Sequence, residues 1–151
     1  MKVEYKAVEG FSGYKVGDDG SVWSCRKQIS RKGVAGFVTI SCKWRKIKQT
    51  IFHPYNYLYV MFTEGPIRKK FRVNVLVLTV FIGKAPKGHH SRHLNGNSFD
   101  NRLSNLAWGT ASDNAQDSIK MGTFRGGPNS KRKGRIIYHA RHPAPQLRTL
   151  A

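Results

Sequence analysis

Residues 92–117 read RHLNGNSFDNRLSNLAWGTASDNAQD, a run dense in imidazole, amide, carboxylate and guanidinium groups. His93 stands near its start, Asn105 follows twelve residues later and Asn114 nine after that. Histidine is the side chain whose charge changes nearest neutral pH, so it suits proton transfer. Amide and carboxylate oxygens are the hard donors a cation takes. Asn114 and Asp117 are three apart, so on a helix they share one face. Acids are few and gather in two places, the first 19 residues and the stretch 100–117. Such a patch in a basic chain either supports the fold or marks where a cation sits.

Elements must then bring these side chains together. A strand–loop–strand hairpin packed on a helix does so: His93 on the first strand, Asn105 at the end of the loop, Asn114 on the helix. The flanks support this order. Residues 105–109 read as a short strand, and Thr110 with Asp113 has the form of a capping box opening a helix over 111–121 that ends at Gly122. Upstream, 73–81 fits strand or helix by periodicity alone. Val73, Leu76, Val77 and Val80 follow helical spacing and Gly83 would stop a helix, so a helix is expected. The first half reads as short strands: Asp19-Gly20 is a hairpin pair, 34–41 alternates, 56–63 is rich in β-branched and aromatic residues, and 69–73 pairs back after the Glu64-Gly65-Pro66 turn.

Charge bounds the partner. The 151 residues carry 27 Lys and Arg against 8 Asp and Glu, a formal +19. A chain so charged repels itself when compact, and nucleic acid is the polyanion that best offsets this. No apolar run approaches the roughly 20 residues of a membrane span, and the first residues hold no apolar signal segment. No membrane association is expected, and the expected location is intracellular, in the cytoplasm of a bacterial, phage-host cell. Two cysteines make neither a disulfide scaffold nor a four-cysteine zinc site. Cations without nearby acids mark the expected phosphate contacts. Arg26, Lys27, Arg31 and Lys32 form one set, and Lys43, Arg45, Lys46 and Lys48 a second. Arg68, Lys69, Lys70 and Arg72 form a third, with Lys131, Arg132 and Lys133 in the tail.

HLNGN, NRLSNLAWGT and the following DN strongly resemble the HNH motif of the ββα-metal nucleases, in particular its phage and intron homing-endonuclease branch. FRVNVLVLTVFIGKAPKG is similar to that branch's lead-in helix and loop, and VEGFSGYKVGDDGSVWS to its short N-terminal module. The resemblance implies an α+β fold: a ββα-metal (HNH) nuclease core at 67–123, preceded by a small β-rich DNA-contacting region at 1–66 and followed by a basic, flexible arm at 124–151. It implies hydrolysis of double-stranded DNA, with nicking by a monomer that has no obligate protein partner. His93 is then the base that activates water, and Asn105 orients its ring or holds the phosphate. Asn114 ligates Mg²⁺ or Mn²⁺, with Asp117 as a second donor. Several relatives carry Asp at the position of Arg92; here that residue is expected to grip a phosphate oxygen. Asn74 stands where the lead-in helix usually begins with His, and Met121 where many relatives have His before the glycine.

Each residue also has a plainer reading. Asn95, Asn97, Asn101 and Asn105 are good turn residues, Asp100 is a loop cap, and Leu106 and Trp108 belong to the core. His89, His90 and His93 are more a solvated loop than a zinc or nickel site. Residues 126–129 form a linker and not a phosphate loop, and 136–139 suits one short strand. Trp44, Phe52 and Tyr55 among the cations would also suit unpaired bases, so RNA binding is a further alternative. A non-catalytic DNA-binding protein on a decayed HNH fold is the rival to the enzyme.

Overall fold

The computed structural model of the chain describes residues 2–31, 34–53, 56–64 and 67–123. Lys32, Tyr55, the linker and short strand expected at 126–129 and 136–139, and Lys131, Arg132 and Lys133 lie outside the described residues. Four strands, β1 (Tyr5–Ala7), β2 (Tyr14–Gly17), β3 (Val22–Arg31) and β4 (Val34–Lys46), form an antiparallel sheet in chain order. Its central turn is the expected one. Gly20 has φ +81, and Asp19 accepts the Ser21 amide at 2.9 Å. The strand expected over 34–41 continues to Lys46, because β3 supplies pairing partners along that length.

A second antiparallel sheet holds β5 (Thr50–Phe52), β6 (Tyr57–Glu64) and β7 (Ile67–Arg72). Strand alternation splits it cleanly: Val60 and Phe62 are buried, whereas Met61 is half-exposed beside Lys70. Helix α1 (Val73–Phe81) follows without a break. Its β-branched composition is poor for an isolated helix, and it has no side-chain N-cap. Burial decides instead: Val73, Leu76, Val77 and Leu78 are in the core. A hairpin of β8 (His90–His93) and β9 (Leu106–Gly109) and helix α2 (Ala111–Lys120) complete the order among the described residues, with a 3-10 turn, Leu103–Asn105, leading into β9.

One core joins these parts. Tyr14, Val16 and Val22 of the first sheet meet Val60 and Phe62 of the second, Val73 and Val77 of α1, and Leu106 of β9. Tyr14 stacks on Phe62 with centroids 4.0 Å apart, and its hydroxyl accepts the Thr63 amide at 2.9 Å. The α2 ends behave as the sequence predicts. Thr110 and Asp113 make a reciprocal capping box. Gly122, at φ +66, lets the Gly122 and Thr123 amides return to Ile119 and Ser118.

Candidate active site

Strand register sorts the residues of β8 onto two faces. Ser91 and His93 share a face with Trp108 and Leu106, against α1; His90 and Arg92 share the other with Gly109 and Ala107. On the first face Asn74, buried at the start of α1, donates to Ser91 Oγ at 3.1 Å. The His93 ring lies nearly parallel to Tyr57, with centroids 6.0 Å apart and planes at 22°. Its Nε2 is 3.1 Å from Oδ1 of Asn101, which is only 5% exposed. An amide oxygen accepts, so Nε2 carries the proton and Nδ1 keeps its lone pair. Burial pushes the His93 pKa below its ordinary value, only partly opposed by the Asn101 hydrogen bond and the Asp100 charge. The ring is therefore neutral at neutral pH and able to take a proton.

The other asparagines lace the loop between the strands. Asn105 Oδ1 accepts the Asn95 amide at 2.9 Å, and its Nδ2 donates to Asn95 Oδ1 and to the Asp100 carbonyl. Asn97 accepts the Phe99 amide. Asn101, and not Asn105, hydrogen-bonds the His93 ring, and Asn105, expected to orient the ring or hold the phosphate, closes the loop that carries Asn101. The reason is the 3-10 turn, which brings the Asn105 amide back over residues 95–100. Asn101 and Tyr57 were not singled out by the motif, since both read as ordinary turn and strand residues. The spacing that finds Asn101 is eight residues after His93 within one loop.

On the second face Arg92 is committed to helix α2. Its Nε and Nη2 donate to Asp117 Oδ2 and Oδ1 at 2.8 and 3.1 Å, and Nη1 lies 3.7 Å from Asp113 Oδ2. Arg92, expected to grip a phosphate oxygen, is here paired with carboxylates of α2, and both oxygens of Asp117, expected as a metal donor, accept from it. Opposite charges at close range on adjacent elements pair before either meets an outside ligand. Asn114 lies on the neighbouring stripe of α2 and lines a groove of about 600 Å³ with Tyr57, Arg72, Ser91, Trp108 and Ser118. Tyr57 thus links the His93 ring to the groove that Asn114 borders.

Cations lead to this groove. Alternation puts Arg68, Lys70 and Arg72 of β7 on the outward face of the second sheet, opposite Thr63, Met61 and Tyr59. Lys70 Nζ sits over the Phe52 and Tyr59 rings, and Arg72 over Tyr57. Lys69, exposed, falls on the alternate register beside Phe71. Lys27, Lys43, Arg45, Lys46 and Lys48 are exposed around the first sheet. Arg31 ends β3. Arg26 departs from the expectation. Its side chain is 11% exposed, pairs with Glu64 at 2.7 Å and donates to the Ser12 carbonyl, so it ties the two sheets together.

Residues 72–116 match the family model described as HNH endonuclease. The SPbeta prophage-derived protein YosQ of Bacillus subtilis (strain 168), named as an HNH homing endonuclease, is 32% identical over 92 residues, covering 60% of this chain and 53% of that one. A solved structure of the HNH homing endonuclease I-HmuI, described for DNA binding and cleavage, superposes with a TM-score of 0.61 at 26% identity, over 80% of this chain and 60% of that one. This chain is similar to HNH endonucleases over residues 72–116 and, more widely, to HNH homing endonucleases. It spans about half the length of the curated relative it matches.

HNH nucleases generally depend on a divalent metal ion, so the oxygen donors here can be tested for one. Among the described residues no three His, Cys, Asp or Glu side chains gather as a cation cluster. Asn114 offers one neutral amide. Asp117 is filled by Arg92, and Asp113 accepts from the Thr110 amide and hydroxyl in the capping box. A guanidinium beside one amide is a poor cradle for a divalent ion. As arranged, these residues do not fit the family's metal.

Proposed function

We propose that this chain is an endonuclease that hydrolyses phosphodiester bonds of double-stranded DNA, nicking one strand as a monomer in the compartment that holds its DNA. One observation carries the reading: a neutral imidazole, hydrogen-bonded to Asn101, packs on Tyr57, which with Arg72 and Asn114 lines a groove at the end of a cationic sheet face. Arg68, Lys70 and Arg72 position the duplex through phosphates, which fixes register without reading bases. His93 Nδ1 takes a proton from water, the hydroxide oxygen bonds to phosphorus, and the bond to the departing 3′ oxygen breaks; that oxygen takes a proton from solvent, giving a 3′ hydroxyl and a 5′-phosphate. The Mg²⁺ or Mn²⁺ expected from the family enters no step here, because the residues around Asn114 do not fit it. The basic tail at 124–151 is proposed to add phosphate contacts.

The test is conversion of supercoiled plasmid to open circles, run with Mg²⁺, with Mn²⁺ and with a chelator. The wild-type chain should nick in at least one condition and His93→Ala in none. Equal nicking by both would remove His93 from the chemistry. The Arg92–Asp117 pair favours a second reading, a DNA-binding protein without activity; DNA shifted but left intact in every condition would select it.

A further inference from the structure

The geometry points to Arg92 as the resident cation of this site: its guanidinium fills the oxygen-lined space between β8 and α2 where a divalent ion would otherwise bind. The inference rests on the HNH reading for the place of the ion, not on cleavage. Three observations carry it. The pairing with Asp117 is two-pronged and both partners are largely shielded, at 19% and 15% exposure. Asp113, one turn away, adds a second carboxylate to the same guanidinium. The third is a seat built for the side chain. Gly109, in the strand opposite, is where a Cβ would collide with Arg92 Cδ and lie 2.8 Å from Nη1.

A planar fork held by one carboxylate at both oxygens takes one lone pair of each and leaves only the remaining pairs, beside a fixed positive charge, for a compact dication. An incoming ion must either expel the guanidinium or share its acid, and like charges a few ångströms apart resist both. The full chain without DNA should therefore hold divalent ions only weakly. Freeing Asp117 should create a site from Asp117 and Asp113, whose carboxylates now share the guanidinium, with Asn114 on the neighbouring stripe of α2.

The experiment is titration of the DNA-free full chain with Mn²⁺, followed by the loss of the free-ion electron paramagnetic resonance signal and by thermal shift. Wild type should bind no better than Asp117→Asn. Arg92→Ala should gain one site at least about tenfold tighter than wild type, a change thermal shift also reports, and Arg92→Ala with Asp117→Asn should lose it. Gly109→Ala, whose added Cβ makes the Arg92 side chain shift beside Asp113 while keeping every charge, should gain binding in the same direction. Tight binding of one Mn²⁺ by wild type that Asp117→Asn abolishes would overturn the inference, as would no gain in both Arg92→Ala and Gly109→Ala. Should Arg92→Ala not fold, the wild-type and Gly109→Ala titrations decide. Failure of the nuclease reading would show in the plasmid assay and leave these titrations unchanged.

Discussion

His93 has its proton equilibrium set by burial, and the direction of that shift has a kinetic signature. A lowered pKa keeps the ring unprotonated to more acidic pH, so the rate should rise with pH and level off with a midpoint below the ordinary value of 6.5. A midpoint at or above that value in the pH–rate profile would contradict the assignment. Asn101 and Asn105 should separate cleanly. Asn101→Ala removes a hydrogen bond that favours the charged ring, so the acid limb should move further down while the rate falls about 10–100-fold, the usual effect of losing a group that orients a functional histidine. Nitrogen-15 shifts of His93 should show the Nε2–H tautomer in wild type and a mixture in the variant. Asn105→Ala should instead lower the melting temperature, since it unties residues 95–100. At this scale the place of His93 on the first strand of the hairpin was legible from its motif. Asn101 was not, because four asparagines in one loop look alike until burial picks one out.

The elements were legible where local chemistry suffices. The capping box at Thr110 and the stop at Gly122 were visible because both act within one helical turn. Helix α1 was ambiguous for a physical reason. Its valines satisfy either period, and only the surrounding sheets settle which face is buried. The pairing of Arg92 with Asp117 was hidden too. Sequence separates them by 25 residues, and only the β8 register turns Arg92 toward α2. The turn between β2 and β3 reaches across to the site. A Cβ on Gly20 would lie 2.8 Å from the Asn101 carbonyl oxygen, and Leu103 donates to the Asp18 carbonyl at 2.7 Å. Gly20→Ala therefore meets both a left-handed backbone and a collision. It should cost at least about 1–2 kcal/mol by chemical denaturation and should reduce nicking beyond the drop in folded fraction. Full activity per folded molecule would show that the turn does not support Asn101.

Over the whole molecule, charge outweighs every other property, and it was the most legible of all. The +19 excess is what leads to the proposal of a polyanionic partner, although it does not say which cations would face it. Strand alternation supplies part of that answer by lining up Arg68, Lys70 and Arg72 on one face. Replacing all three with alanine should weaken duplex binding nearly equally for all sequences. It should also flatten the plot of log affinity against log salt by about 2–3 units, near 0.9 for each phosphate no longer neutralised. An unchanged slope would put the duplex elsewhere, and the same replacement of Arg26 should alter the slope little, since Glu64 holds it. The Tyr14–Phe62 stack, set within a core that also takes in Val73 and Leu106, limits how such chains can be recombined. A chimera joined at residues 66 and 67 would face each half with a foreign apolar surface. Exchange of the N-terminal half among relatives should then yield folded hybrids only when the donor brings a matching aromatic pair and a glycine at the turn.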